Sequence, residues 1–365
     1  MTRKLRVGIL FGGRAAEHEI SILSARNVAE ALDRTKFEPV LIGIDKSGRW
    51  LTQSESALLT SSRDPRLVKI NEGTAVTVAP FPIARAEGDA SFDVVFPVLH
   101  GPMGEDGAIQ GLLELAGIPY VGAGVLGSAV GMDKDVMKRL LVHAGIPVPK
   151  FFVIHFADFQ KSPDAVCRQA AKLKFPLFTK PANLGSSVGI RRVASRKELR
   201  AALAHAFEYD VKILAEEAII GREIECSVLG DDDPIASIPG EIMVQHKDGF
   251  YSYDAKYVDE HGAVLKIPAA LKRVTINKVQ KLAIRVFQIL ESNGLARVDF
   301  FLTKRGRLLV NEINTLPGFT AISMYPKLWE ASGLTQTELI TRLIEIAIKR
   351  HERKVAVRQS YTSAG

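Results

Sequence analysis

The stretch ARVDFFLTKRGRLLVNEINTLPGFT, residues 296–320, decides how the rest of the chain is read. Two apolar runs, Val298 to Leu302 and Leu308 to Ile313, flank a glycine-containing turn, so the segment predicts a β-hairpin with Arg305-Gly306 as its loop. Pairing Lys304 with Arg307 sets Asp299 opposite Glu312 and Arg297 opposite Asn314. Side chains alternate along a strand, so these four share one face, while Val298, Phe300, Leu309 and Ile313 share the other. The first face gathers two carboxylates and an amide oxygen beside an arginine. Such hard oxygen ligands suit Mg²⁺ with positions left open for water and phosphate. A half-exposed hairpin with cross-strand charge pairs is the plainer alternative. Against it, Asn-Glu-x-Asn runs directly into Thr-Leu-Pro-Gly, a polar turn able to aim backbone N–H groups at an anion.

The phosphate itself should lie near FPLFTKPANLGSSVGIRRV, residues 175–193. This reads as a strand ending at Lys180, a loop holding Gly185, Ser186, Ser187 and Gly189, and a returning strand. Small residues let the backbone close over an anion, hydroxyls donate to its oxygens, and the lysine supplies charge. Gly-Ser loops alone signal only flexibility, but the preceding Lys-Pro favours a clasp. No G-x-x-x-x-G-K-[ST] occurs, which excludes a P-loop.

Around these two motifs the chain divides. Residues 5–45 read as strand, helix, strand, the unit of a parallel sheet whose ligands gather at strand C-termini. Glu17 and His100 both fall just past such ends. Singly, each has a commoner explanation, as a dipole partner or a structural histidine. GAGVLG at 122–127 is formally G-x-G-x-x-G, but no acid at a following strand end completes a dinucleotide fingerprint, so it reads as a flexible loop leaving the first domain. The helix DKDVMKRLLVHAG, capped by Asp133 and ended by Gly145, opens a second region. KILAEEAIIGREIECSVLG then gives a strand, a short crossing and another strand, with Glu216, Glu217 and Glu223 interrupting apolar runs along a hinge that could carry an adenine. YSYDAKYVDE places Lys256 and Tyr257 in a polar loop, equally readable as a mobile flap or an ordinary surface loop. QTELITRLIEIAIKRH is an amphipathic packing helix. Residues 52–90, rich in Ser, Pro and Ala, carry no assignable role.

With 365 residues, 47% hydrophobic and 24% charged, the chain has the composition of a soluble protein of two or three domains. No apolar run approaches a membrane span, and the basic-then-apolar start reads as a first strand, so a cytoplasmic protein is expected. The net charge of +7 is dispersed, without aromatic interleaving, and suits anionic small substrates rather than nucleic acid. Cys167 and Cys226 lack metal-ligand spacing and read as buried reduced thiols.

In order, FGGRAAEHEISILSA, LHGPMGEDGAIQG, MDKDVMK, KPANLGSSVG, YDAKY, ARVDFF and NEINTLPGFT resemble the D-alanine–D-alanine ligase family of the ATP-grasp superfamily, over nearly the whole chain. The resemblance implies an α/β ATP-grasp fold of three domains: an N-terminal parallel-sheet (pre-ATP-grasp) domain at 1–132, a central lobe at 133–215 and a C-terminal catalytic lobe at 216–350, then a frayed tail at 351–365. ATP would be gripped between two antiparallel sheets. Glu17 would hold the first D-alanine's ammonium with His100 nearby, oriented by Ser186 and Tyr257. Lys134, Lys180, Ser187, Glu216, Glu217, the backbone at Ala218 and Ile219, Lys256 and Asn311 would contact ATP, and Glu223 its ribose. Asp299, Glu312 and Asn314 would hold two Mg²⁺ ions, for which Mn²⁺ could substitute. Ser323 and Met324 would seat the second D-alanine's carboxylate, and Arg297 with the Gly318 N–H would meet the tetrahedral oxyanion. The implied reaction forms an acyl phosphate from the first D-alanine, then D-alanyl-D-alanine for peptidoglycan precursors; a homodimer without membrane or nucleic-acid partners is also implied. Ligases taking D-lactate or D-serine are the nearest alternative, against which Tyr257 argues. More distant ones are a nucleotide-binding module without turnover and, if GAGVLG were real, a nicotinamide dehydrogenase. The 52–90 insertion suggests a longer-chain branch.

Overall fold

RVGILF and PVLIGI, apolar on both faces, can only be satisfied inside a sheet covered on both sides. In the computed structural model, which describes residues 3–62, 64–76, 92–244 and 263–357, they lie in β1 (Leu5–Gly12) and β2 (Phe37–Ile44), paired in parallel from Leu5 against Phe37. β4 (Val94–Pro97) runs parallel on the other side of β1, and the short β3 (Trp50–Thr52) closes the edge antiparallel, giving the order β3-β2-β1-β4. One face packs Val7, Ile9 and Phe11 against the helix His18–Ala31 and against Leu339, Ile340, Leu343 and Ile344 of the helix Gln336–Ala356. The other buries Leu10, Ile42 and Val95 beneath Ile109 and Leu113.

A second sheet, all antiparallel, comprises β5 (Phe151–His155), β6 (Leu177–Pro181), β7 (Arg191–Val193) and β8 (Lys212–Glu217) in the order β5-β8-β6-β7. The chain crosses at 218–220 into a third sheet, β12-β11-β9-β13-β14, with β10 beside β9. Its members are β9 (Gly221–Gly230), β10 (Ile235–Ala236), β11 (Gly240–Val244), β12 (Ala263–Lys266), β13 (Gly294–Thr303) and β14 (Leu308–Asn314). The helix Arg273–Ile289 covers its core face through Val279, Ala283, Val286 and Phe287, joined by Met137 and Leu141 of the helix Lys134–His143.

The hairpin forms with a different loop. Thr303 and Arg307 close a three-residue turn, Lys304-Arg305-Gly306, with Gly306 at φ 76°. A β-bulge then falls between Asp299 and Phe300, where Phe300 pairs with Val310 but Asp299 with Glu312, leaving Asn311 as the extra residue. The longer loop and the bulge each shift the register by one and cancel, so Asp299 faces Glu312 and Arg297 faces Asn314 as anticipated. Leu309 pairs with Phe301, off the expected face; Leu308 and Val310 take its place in the core with Val298, Phe300 and Ile313.

Two other expectations are corrected. GAGVLG is no flexible loop: Gly124 precedes the helix Val125–Met132, and Gly127 packs so closely that a Cβ there would stand 2.3 Å from Glu291 O. The tail expected to fray from residue 351 is helical to Ala356, because Arg353 is paired with Asp231 and Asp232, and Lys354 with Glu114. Asp133 caps the helix Lys134–His143, accepting from the N–H groups of Asp135 and Val136 at 3.0 Å each. Cys167 and Cys226 are buried and free, and burial pushes the Cys226 thiol up to about 12. Among the described residues no helix is long and apolar enough to cross a membrane.

Candidate active site

The face of β6 and β8 opposes the polar face of β9, β13 and β14 across a pocket closed by the loop after Lys180. Lys134, Lys180, Ser187, Glu216, Glu217, Ile219, Glu223, Asp299, Asn311 and Glu312 line it, with Phe178, Leu184 and Phe301 among its apolar walls. An apolar slot between two sheets with charges at one end suits a flat base and its phosphates. Ala218 does not line it, and its N–H donates to Pro176 O at 3.3 Å. Lys256 and Tyr257 lie outside the described residues. Ser186 and Ser187 are held at φ 51° and 61°, left-handed values costly for a side chain with a Cβ, which gives the Gly-Ser loop a defined rather than a flexible shape.

The cations are locked in place behind the pocket. Lys180 Nζ lies 2.6 Å from Glu216 Oε1 and 3.3 Å from Asn311 Oδ1. Lys138 Nζ, from the helix beneath, lies 2.7 Å from Glu216 Oε2 and 3.1 Å from Asn311 O. Burial opposes the charge on Glu216, but the two ammonium groups outweigh it and hold the carboxyl below its ordinary pKa. Lys134 Nζ donates to Leu184 O at 2.6 Å and stands 3.5 Å from Glu312 Oε2.

On the hairpin face Arg297 grips Asp299 bidentately, both contacts at 2.8 Å, and reaches Glu225 Oε2 at 2.9 Å. Burial works against the guanidinium charge; Asp299 and Glu225 overcome it and raise the pKa well above the ordinary value. Asn314 Nδ2 donates to Asp299 Oδ2 at 3.0 Å, which turns its amide oxygen outward from that bond. Among the described residues no three His, Cys, Asp or Glu side chains converge as a ready-made cage. Two carboxylates and an amide oxygen at the charged end of this pocket nonetheless fit Mg²⁺, which is ordinarily held by one or two carboxylates with phosphate and water completing the shell.

The polar turn after the hairpin is fixed from the N-terminal sheet. His100 Nδ1 lies 3.2 Å from Leu316 O, a group that only accepts, so Nδ1 carries a proton and donates to it, while Nε2 shares a hydrogen bond with the Ser24 hydroxyl, also at 3.2 Å. Ser24 Oγ in turn accepts from the Phe319 N–H at 3.2 Å, and Asn27 Nδ2 donates to Phe319 O at 2.8 Å. Gly318 is thereby held between two anchored neighbours. A Cβ there would stand 2.9 Å from Ser323 Oγ, so a side chain at this position would push that hydroxyl aside. Glu17, buried at the start of the helix His18–Ala31, faces the Gly-Ser loop: a Cβ on Gly185 would be 3.5 Å from Glu17 Oε1. Ser323 precedes the helix Met324–Ala331, and the Met324 side chain is buried with Ile242 and Leu328, leaving only its backbone for a ligand.

Glu225, Lys138 and Ser24 escaped the sequence reading. Glu225 had a signal, the period-two alternation with Glu223 along an otherwise apolar strand. Lys138 and Ser24 sit on amphipathic helices, where a lysine or serine reads as solvent-facing.

Residues 6–123 match the family model described as D-ala D-ala ligase N-terminus, and residues 140–345 the one described as D-ala D-ala ligase C-terminus. The chain is 50% identical to a D-alanine–D-alanine ligase of Shouchella clausii, with 98% of each chain covered. It is 47% identical to D-alanine–D-alanine ligase A of Escherichia coli K12, with 95% of this chain and 97% of that one covered. Among solved structures, the D-alanine–D-alanine ligase of Coxiella burnetii superposes with a TM-score of 0.85 at 41% identity over 97% of each chain. The VanG D-Ala:D-Ser ligase of Enterococcus faecalis reaches 0.82 at 36% identity, covering 94% of this chain and 100% of that one.

Proposed function

We infer the function from one premise: the chain belongs to the D-alanine–D-alanine ligase family. It is an ATP-dependent ligase of the ATP-grasp fold that joins two D-alanines for peptidoglycan synthesis. The observation that carries the mechanism is a single pocket between two antiparallel sheets, with Lys180 and Glu216 on one wall and Asp299 and Glu312 on the other.

A free carboxylate has no adequate leaving group for amine attack, so the first D-alanine is activated by transfer of the γ-phosphoryl group to its carboxylate. We assign Lys180, Lys134 and the Ser187 loop to the phosphates, the hinge at Glu216 to Ile219 to the adenine, and Glu223 to the ribose. Asp299, Glu312 and Asn314 would hold Mg²⁺, or Mn²⁺ in its place, which when bound neutralises charge spreading over the phosphates. Glu17 would pair with the first D-alanine's ammonium. The second amine then attacks the acyl carbon, and phosphate leaves. Arg297 and the Gly318 N–H would meet the tetrahedral oxyanion, Arg297 already oriented by Asp299 and Gly318 by its hydrogen-bonded neighbours. The N-terminal end of the helix Met324–Ala331 would receive the second carboxylate, as helix N-termini receive anions. A cytoplasmic homodimer divided near residues 132 and 215 completes the proposal.

The assay is phosphate release with ATP and D-alanine, repeated with D-lactate or D-serine as second substrate. Release with D-alanine alone supports the reading. Preferential release with D-serine or D-lactate would favour the alternative acceptor, and none with any acceptor would favour a binding module.

A further inference from the structure

Four residues, Lys138, Glu216, Lys180 and Asn311, form a closed ring at the back wall of the pocket. Both carboxylate oxygens of Glu216 and both carbonyl oxygens of Asn311, backbone and side chain, are shared between Lys138 and Lys180 at 2.6 to 3.3 Å. The ring joins a helix and two strands around the central lobe to the β-bulge in β14. Its members differ in access: Lys180, Glu216 and Asn311 line the pocket, whereas Lys138 does not and is 0% exposed.

A lysine buried so completely needs a reason, because desolvating an ammonium is costly and burial pushes its pKa down. The charge count supplies one. Glu216 carries one negative charge, which either lysine could neutralise. Lys138 cannot reach the pocket, so its pairing with Glu216 leaves the charge of Lys180 as the surplus facing the nucleotide. We propose that Lys138 is a positioning residue whose function is to satisfy Glu216 permanently, so that Lys180 can transfer its charge to a bound phosphate. Through Asn311 O it also braces the bulge that sets Glu312 opposite Asp299. The proposal rests on the assignment of Lys180 to phosphate.

The test compares Lys138→Met, Lys180→Met, Glu216→Gln and the double variant Lys138→Met/Glu216→Gln by ADP release, measuring KM for ATP and for D-alanine. In Lys138→Met, Glu216 claims Lys180, and KM for ATP should rise roughly 10- to 100-fold, the scale seen when outer partners of ligating side chains are removed, with KM for D-alanine unchanged. In the Glu216→Gln background, whatever that change itself costs, Lys138→Met should add almost nothing to KM for ATP, because the charge that would claim Lys180 is gone. A residue that only fills space would cost the same in both backgrounds. If Lys138→Met does not fold, the double variant decides, since a neutral buried pair is often tolerated: ATP binding equal to that of Glu216→Gln supports the proposal, and binding weaker than Glu216→Gln and as weak as Lys180→Met overturns it. Unchanged KM for ATP in a folded Lys138→Met overturns it too, provided Lys180→Met is impaired. Wild-type ATP binding in Lys180→Met would overturn the phosphate assignment instead.

Discussion

Glu312→Gln isolates the chemistry of the hairpin face from its packing. Glu312 stands opposite Asp299 in the register, with its Oε2 3.5 Å from Lys134 Nζ. That pair is long and 23% exposed on the carboxylate side, so its loss should cost no more than about 1 kcal/mol of stability. In a chain of this size that is a shift of roughly 2–4 °C in Tm or less. The core face, with Val298, Phe300, Val310 and Ile313 buried, is untouched. Turnover should behave differently. On the proposed roles, the amide keeps the shape but removes the charge and one oxygen that would coordinate the metal where the phosphoryl group would be transferred, a place where metal-held charge contributes several kcal/mol. A loss of about 3–4 kcal/mol corresponds to roughly 10²- to 10³-fold in kcat. The assay is phosphate release against Mg²⁺ concentration, alongside thermal unfolding of both proteins; added Mg²⁺ should restore activity only in part. Near-wild-type turnover at ordinary Mg²⁺ would refute the reasoning and make the hairpin face structural.

Three further outcomes are expected. Ser24→Ala leaves the Phe319 N–H and a His100 nitrogen unpaired in a fully buried place, and should lower stability by about 1–3 kcal/mol in urea unfolding; no change would mean the turn is held without Ser24. Arg222 binds Glu241 through two contacts of 2.6 Å, and this hydrogen bonding lowers the Glu241 pKa from its ordinary 4.5. A depressed carboxylate stabilises the fold above its unfolded pKa and loses that contribution as pH falls through the folded one. Arg222→Met should therefore be less stable at pH 7, the gap closing below about pH 4.5; a gap that widens in acid would contradict it. Gly127→Ala forces a Cβ to 2.3 Å from Glu291 O and should cost about 1–3 kcal/mol by thermal unfolding, with KM for ATP unchanged; a rise in that KM would revive GAGVLG as a nucleotide loop.

What could be read from the chain was whatever one strand period or one short loop determines. Asp299 and Glu312 face each other as alternation requires, and Lys180 lies one residue from the end of β6, ahead of a Gly-Ser loop. What could not be read depends on partners distant in sequence. Asn311 becomes a bulge residue because its side chain and carbonyl each meet a lysine from another element. No local pattern announces that. Leu309 was misplaced for the same reason, since alternation carried through an unseen bulge inverts every later side chain. Lys138 looks like any lysine on an amphipathic helix until Glu216, 78 positions away in sequence terms between α-helix and β8, is brought against it.

The same dependence explains why the N-terminal sheet belongs to the active site rather than beside it. On the proposed roles, Glu17 holds one substrate and Gly318 stabilises the oxyanion formed when the second attacks, yet they are about 300 residues apart. The helix that begins just after Glu17 carries Ser24 and Asn27, which bind the N–H and the carbonyl of Phe319. His100, past the end of β4, binds the carbonyl of Leu316. Two hydrogen bonds from the helix that positions Glu17, and a third from His100 beyond β4, thus fix the turn on both sides of Gly318. Phe319 adds an edge contact to Phe96 of β4, ring centroids 5.7 Å apart. A displacement of the N-terminal sheet would therefore move the proposed substrate anchor and oxyanion donor together, and their separation is set apart from the pocket between the other two sheets. Tolerances of about 1 Å matter for such geometry, and a shared hydrogen-bonded unit holds them better than two domains meeting only through their substrates.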